Sequence, residues 1–390
     1  MNDMTVRRVA VVTGTRADYG LLYWIIHDLH QASDFELQLV VTGMHLMPRF
    51  GHTIDGIRRD GFPIAATVDL AMVDDSPRAV ARAIGLGTAG FADVFADLHP
   101  DVVLILGDRF EALAAATAAF AQRVPIGHIH GGEVTEGALD DGFRHAITKL
   151  SALHFTAAEP YRRRVIQMGE MPERVFNVGA PGLEHFFRTP LLSKPELERE
   201  LGCALDGVVF LVTFHPATLD PGSPAQQCQE LLAALDAFPQ ARIVFTLPNA
   251  DPGGQAIIPL LEDYVRRHPG RCRLYASLGQ QRYLSLLRLV AAVVGNSSSG
   301  VIEAPSAGCA TVNIGDRQRG RLRAASVIDC APQRRYIEAA LRRVLDPVFR
   351  ATLAAVHNPY GSGDVAARVL AVLRTVDPPG LLRKPFFDLG

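Results

Sequence analysis

The sequence is short of cysteine and of net charge, and each shortage narrows what the chain can be. Its five cysteines are an odd number with no C-x-x-C pair, which fits buried thiols in a reducing compartment better than disulfides or zinc. A net charge of only -2, with the basic residues scattered, argues against a nucleic-acid partner. No apolar run reads as a membrane span; the longest candidate, near Leu284 to Gly295, is interrupted by Arg288. The opening residues, MNDMTVRR, lead into a strand pattern rather than a secretory leader. The first glycine turn, GTRAD, is not G-x-G-x-x-G, so no dinucleotide cofactor is signalled. The expectation is a soluble, cytoplasmic protein without a membrane partner.

What is present is a globular composition, 48% hydrophobic and 21% charged, in a chain of 390 residues that suits two domains. Apolar runs of strand length alternate with helical stretches six or seven times in the first half, the pattern of a doubly wound parallel sheet. The alternation restarts at about Gly207, after a stretch of turn residues, prolines and charge around RTPLLSKPELEREL. The fold class expected is α/β, with two doubly wound Rossmann-like domains. The expected boundaries are residues 1–180 for the first domain, 181–200 for a linker, 201–375 for the second domain and 376–390 for a tail. In that tail, the Phe386-Phe387 pair reads as a docking element.

The chain is organised around Val102 to Lys149. A buried strand closes at Gly107 and delivers Asp108 and Arg109 to its carboxyl end, where open α/β sheets place their ligands. After an alanine-rich helix, a second strand brings His130, Gly131, Gly132 and Glu133 to the same edge. Asp140, Asp141, Arg144 and His145 follow at a helix start, where acids suit the dipole. A helix cap accounts for Asp140 but not for so many ionisable groups at strand ends. Elsewhere, Gly14-Thr15-Arg16 at the end of the first strand reads either as a simple turn or as a phosphate cradle. His45 reads as a packing residue. The glycines Gly85, Gly87 and Gly90 permit close helix packing. In the second half, one strand ends at His215-Pro216 and another at Leu247-Pro248-Asn249. A third runs into Gly295-Asn296-Ser297-Ser298-Ser299-Gly300, which offers hydroxyls and N–H groups to an anion or, more plainly, a serine cap. Glu303 is placed in the first turn of the helix that follows. Ala310 to Ile314 is the last clear strand, followed by Arg317, Arg319, Arg321 and Arg323.

Five motifs in register, GTRADYGLL, VTGMHL, GDRFE with HIHGGE and DDGFRHAITKL, GNSSSGVIEAPSAG, and GDRQRGR, resemble the hydrolysing UDP-N-acetylglucosamine 2-epimerases. The resemblance runs to about Arg368. It implies a glycosyltransferase-B arrangement in which two domains face a cleft, with the nucleotide mostly on the second. It also implies conversion of UDP-N-acetylglucosamine and water to N-acetylmannosamine and UDP through 2-acetamidoglucal. No cofactor or metal is implied, since no hydride moves; a UDP-sugar substrate and a homo-oligomer, dimer or tetramer, are. Asp108 matches the family's catalytic aspartate. Many relatives carry glutamate where His130 stands, so Glu133 is either a substitute acid three residues on or a sugar-binding group, with His130 taking part of the acid/base role. Asp141 is preferred to Asp140. His215 is carried over as a catalytic group beside the leaving diphosphate. The implied binding residues are Arg16, Arg109, Arg144, Asn249, Ser297, Ser298, Ser299, Gly300, Glu303, Arg317 and Arg321. Other readings left open are a 2-epimerase for UDP- or GDP-2,4-diacetamido-2,4,6-trideoxyglucose, a non-hydrolysing 2-epimerase, and a glycosyltransferase or inactive binding protein of this fold.

Overall fold

The computed structural model describes residues 6–48, 51–72, 74, 76–134, 139–216, 223–248 and 254–389. The chain forms two compact units, one of residues 1–185 with 360–390 and one of residues 186–359. Each is built on a parallel sheet, because apolar runs such as Val102–Leu106 are buried on both faces and need helices above and below them.

In the first unit the strands are β1 (Arg7–Thr13), β2 (Phe35–Thr42), β3 (Ile64–Val68), β4 (Val102–Leu106), β5 (Ile126–Ile129), β6 (Leu153–Thr156) and β7 (Val175–Asn177). Their order is β3-β2-β1-β4-β5-β6-β7. The order reverses between β1 and β4, which pair Val9 with Val102 and Val11 with Leu104. In the second unit they are β8 (Val209–Thr213), β9 (Arg242–Thr246), β10 (Cys272–Tyr275), β11 (Ala292–Gly295), β12 (Ala310–Ile314) and β13 (Val327–Cys330), ordered β10-β9-β8-β11-β12-β13. That reversal falls between β8 and β11. Doubly wound sheets hold ligands at such reversals, outside the carboxyl ends of the strands.

The expected second domain loses its last helix. Val365–Thr375, assigned from sequence to residues 201–375, packs Val365, Ala366, Val369, Leu370 and Leu373 into the core of the first unit. Its N-terminus is held by the buried Glu184 carboxylate, which accepts the Ala366 N–H at 2.9 Å, and Arg374 near its other end pairs with Asp34. The expected linker is largely helical, as Gly182–Arg188 and Lys194–Leu201. Strand β13 was not anticipated. It is short and at the sheet edge, and its residues are only partly buried, so it lacks the apolar run that marks the others.

The 22-residue helix Pro77–Leu98 is long and apolar enough to cross a membrane, with a mean hydropathy of 1.3. This corrects the expectation that no stretch reaches that length; its apolarity is spread over alanines and glycines instead of a run of large side chains. Ala83, Gly87, Phe91 and Phe95 line its buried face. Gly87 lies against Leu70 and Ala114, and Gly90 against Val68, so both permit close packing, whereas a Cβ at Gly85 would meet open space. In the tail, Phe386 lies over Gly169 and 5.0 Å from Lys149 Nζ, and the Phe387 N–H donates to the Gly169 carbonyl.

Candidate active site

The turn after β4 reaches its shape because Gly107 takes a left-handed φ of +81°. His128, fully buried on β5, fixes that turn: its Nε2–H donates to the Gly107 carbonyl at 2.7 Å. Its Nδ1 lies 3.1 Å from Thr148 Oγ1, whose own O–H donates to the Arg144 carbonyl at 3.0 Å, which ties the turn to the helix Leu139–Leu150. Burial pushes the His128 imidazole down to about 3, so it is neutral. Sequence reasoning passed over His128; the signal was a histidine inside a four-residue apolar strand.

From that turn Asp108 accepts a hydrogen bond from Arg144 Nη2. Arg144 is 6% exposed and also donates to Asp141 at 3.1 Å through Nη1. One buried guanidinium thus draws two carboxylates together. His145 Nε2 lies 3.5 Å from the other oxygen of Asp141. Asp140, at the start of the same helix, keeps part of its side chain in solvent. Its carboxyl is raised above the usual aspartate range by partial burial and by the negative charge of Asp108.

At the end of β5, His130 has a left-handed φ of +67°, a strained conformation for a residue other than glycine. Its Nδ1 is 2.8 Å from Glu133 Oε1, and its buried Nε2 has no hydrogen-bond partner among the described residues. Gly132 follows at φ +81°; a Cβ there would come within 2.4 Å of the Tyr161 carbonyl, and Arg164 donates to the Gly132 carbonyl. The HIHGGE turn is therefore pinned from behind, with the His130–Glu133 pair on its front.

The GTRAD turn does not form an open phosphate cradle. The Asp18 carboxylate accepts the backbone N–H groups of Gly14 (2.9 Å) and Thr15 (2.8 Å), filling the turn from within as part of a capping box. Arg16 stands exposed at the first helical position, so any anion contact there falls to its side chain. His45 is fully buried, between Thr13 Oγ1 and Thr53 Oγ1, in keeping with a packing role. Arg109 donates its Nε–H to Glu111, which is 2% exposed and which sequence reasoning treated only as part of a motif.

In the second unit the site residues gather at the β8–β11 reversal. Asn296 accepts the His215 N–H at 2.7 Å and donates to the His215 carbonyl at 2.8 Å, joining the ends of the two strands. Gln318 and Arg317 donate to the Asn296 carbonyl at 2.9 and 3.3 Å. Gly295 is required there, since a Cβ would lie 2.0 Å from the Thr213 carbonyl oxygen. His215 is 5% exposed. Ser297 occupies the N-cap position without a side-chain capping bond, and Ser298, Ser299 and Gly300 form the first turn of the short helix Ser298–Ile302. Glu303 is the C-cap of that helix and not, as expected, in its first turn, because the helix ends after five residues. Arg319 and Arg323 pair with Asp316 and Asp329, while Arg317 is the arginine of this run that bonds to the strand-end Asn296. Asn249 lies outside the described residues. No group of metal-ligating side chains occurs among the described residues.

Two Rossmann-like units with ionisable side chains clustered at their strand-order reversals define a two-domain doubly wound α/β protein with the usual ligand position of such sheets in each unit. The chain belongs to the UDP-N-acetylglucosamine 2-epimerase family, whose model matches residues 27–374. It is 36% identical over 387 residues to a Campylobacter jejuni GDP/UDP-N,N'-diacetylbacillosamine 2-epimerase (hydrolyzing), covering 99% of this chain and all of the relative. It is 37% identical to the Legionella pneumophila UDP-N,N'-diacetylbacillosamine 2-epimerase (hydrolyzing), over 95% of this chain and 96% of that one. The fold is shared with the crystal structure of UDP-GlcNAc 2-epimerase from Neisseria meningitidis bound to UDP-GlcNAc. That match has a TM-score of 0.81 and 19% identity, and covers 95% of this chain and 100% of that one. The fold is thus of the glycosyltransferase-B type expected from the sequence.

Proposed function

We propose that the chain is a hydrolysing 2-epimerase of an N-acetylated nucleoside-diphosphate sugar. The observation that carries this is the set of carboxylates at the β1–β4 reversal: Asp108 and Asp141 on one arginine, with Asp140 crowded by Asp108. A base removes the proton at C2 while the C1–O bond breaks and the nucleoside diphosphate leaves with the bonding electrons. Water then adds across the unsaturated sugar, its oxygen to C1 and a proton to C2 on the opposite face. Carboxylates with unequal affinities for a proton suit such paired transfers, and the His130–Glu133 pair can serve as the second acid/base group. His215, the serine turn, Arg317 and Arg321 are suited to a diphosphate, through N–H groups, hydroxyls and positive charge.

Two sugars compete as substrate. UDP-N-acetylglucosamine would yield free N-acetylmannosamine. The relatives at 36 and 37% identity favour the 2,4-diacetamido-2,4,6-trideoxy sugar on UDP or GDP, and we adopt that reading. The test is incubation of the purified protein in deuterated water with each of these nucleotide sugars, followed by NMR. The expected result is a free 2-epimerised sugar with deuterium at C2 and release of the nucleoside diphosphate, fastest from the diacetamido substrate. Faster turnover of UDP-N-acetylglucosamine would reverse the choice of sugar. A product still bound to its nucleotide would overturn the hydrolysing reaction.

A further inference from the structure

We infer that Glu111 is a positioning residue that holds Arg109 at the β1–β4 reversal for contact with substrate, an inference that rests on the function proposed above. Glu111 lies in the first turn of the helix Phe110–Ala121, yet it is turned inward and is 2% exposed. Its carboxylate is pressed against the ends of three neighbouring strands. A Cβ on Gly14, after β1, would lie 2.7 Å from Glu111 Cγ and 2.8 Å from Oε1. One on Gly43, after β2, would lie 3.6 Å from Oε1 and 2.9 Å from the Gly14 carbonyl oxygen. After β4, the Arg109 Nε–H donates to the same Oε1 at 2.5 Å.

A carboxylate that only capped its helix, as Glu111 also does through its own backbone N–H, would face solvent. Glu111 instead gives up its hydration, and its Oε2 is buried with no partner among the described residues. Burial pushes its carboxyl above the usual range, while Arg109 pulls it the other way. Leaving a carboxylate oxygen unsatisfied is costly, and the compensation on view is the grip on Arg109. That grip uses Nε alone. The Arg109 side chain is 36% exposed, and its two terminal nitrogens make no hydrogen bond to a described residue. They form a fixed donor pair close enough to Asp18 and Asp140 to feel both charges. The pair suits an oxygen-rich group of a sugar or its diphosphate. A lysine could not replace it, having no second edge to anchor. The glycine of GTRAD follows from the same arrangement, since it leaves room for the carboxylate, whereas the glycine of VTGMHL answers to the Gly14 carbonyl and its own φ of +58°.

The test compares wild type with Glu111→Gln, Glu111→Ala, Arg109→Ala and the double variant Glu111→Ala/Arg109→Ala, using whichever nucleotide sugar the wild type turns over. If Glu111 acts through Arg109, Glu111→Ala raises KM by roughly 10-fold or more, on the scale of a lost charge-assisted hydrogen bond. The double variant is then no worse than Arg109→Ala, and Glu111→Gln, whose amide oxygen still accepts from Nε, recovers most of the loss. Losses that add in the double variant, or an unchanged KM in Glu111→Ala, overturn the inference. A measurement independent of turnover separates it from the proposed function. In 15N-edited spectra, the Arg109 Nε–H should be protected from exchange in wild type and in Glu111→Gln. Rapid exchange in both would refute the grip even if the enzyme epimerises, whereas protection without turnover of any nucleotide sugar would refute the proposed function alone. Should Glu111→Ala fail to fold, Glu111→Gln and Arg109→Ala with the exchange measurement still decide.

Discussion

Asp108 already has a partner, and that partner is buried. Arg144 is its counter-ion, and because Arg144 also holds Asp141, a substitution at Asp108 leaves the guanidinium paired and the fold intact. Asp108→Asn should therefore fold normally while turnover falls by roughly 100-fold or more, the scale of an acid/base group; near-normal turnover in a folded variant would make Asp108 structural. The sequence favoured Asp141 over Asp140 for proton transfer, but the surroundings argue for Asp140. Asp141 bonds to Arg144 and lies beside His145, whereas burial and the charge of Asp108 raise Asp140. A base with a raised pKa gains activity as pH climbs through that value. Asp140→Asn should then abolish the acid limb of the kcat/KM profile, and Asp141→Asn should keep it. The opposite pattern would return the role to Asp141.

Among the elements, the strands and the groups at their ends were legible because both signals are local: an apolar run, then a glycine or proline, then chemistry. The helix Val365–Thr375 was not, since nothing in its pattern says which sheet its apolar face covers. Only the distant partners Glu184 and Asp34 decide that. Strand β13 and the early end of the helix before Glu303 were missed for the related reason that short elements carry too little periodicity. The helix can be tested directly. Leu373 is fully buried in the core of the first unit, and the sole tryptophan, Trp24, packs against that core. Leu373→Ala should cost roughly 2–5 kcal/mol, the usual range for such a cavity, and should lower the denaturant midpoint followed by Trp24 fluorescence. An unchanged Trp24 transition would mean that the helix belongs to the second domain after all.

At the scale of the molecule, what a single sequence could not show is how far apart in the chain the supports of one site lie: Glu111 against Gly14 and Gly43, His128 against Gly107, the tail against Gly169. The same long-range burial makes stability depend on pH. His128 donates to the Gly107 carbonyl, and burial keeps it neutral down to about 3. His154 is lowered by burial too; it gives its Nε2–H to Glu170, and its buried Nδ1 has no partner among the described residues. Glu170 is pushed up by burial, but His154 and the ammonium groups of Lys149 and Lys384 outweigh this and pull it to about 2. With His154 neutral, the charge acting on Glu170 comes from the two lysines. The signs then agree. A histidine depressed in the folded state binds its proton first in the unfolded chain, so stability drains away as pH falls below about 6.5. Below the ordinary glutamate range the unfolded chain also protonates Glu170 first, and its contribution is lost as pH falls on towards 2. The free energy of unfolding followed at Trp24 should therefore drop between pH 6 and pH 4 by about 1.4 kcal/mol per pH unit from His128 alone, with a further loss from His154. His128→Gln should fold less stably at neutral pH but lose part of that slope. A wild-type profile that is flat from pH 6 to 4 would show that these imidazoles accept protons in the folded state, and that His128 does not hold the Asp108 turn as a neutral donor.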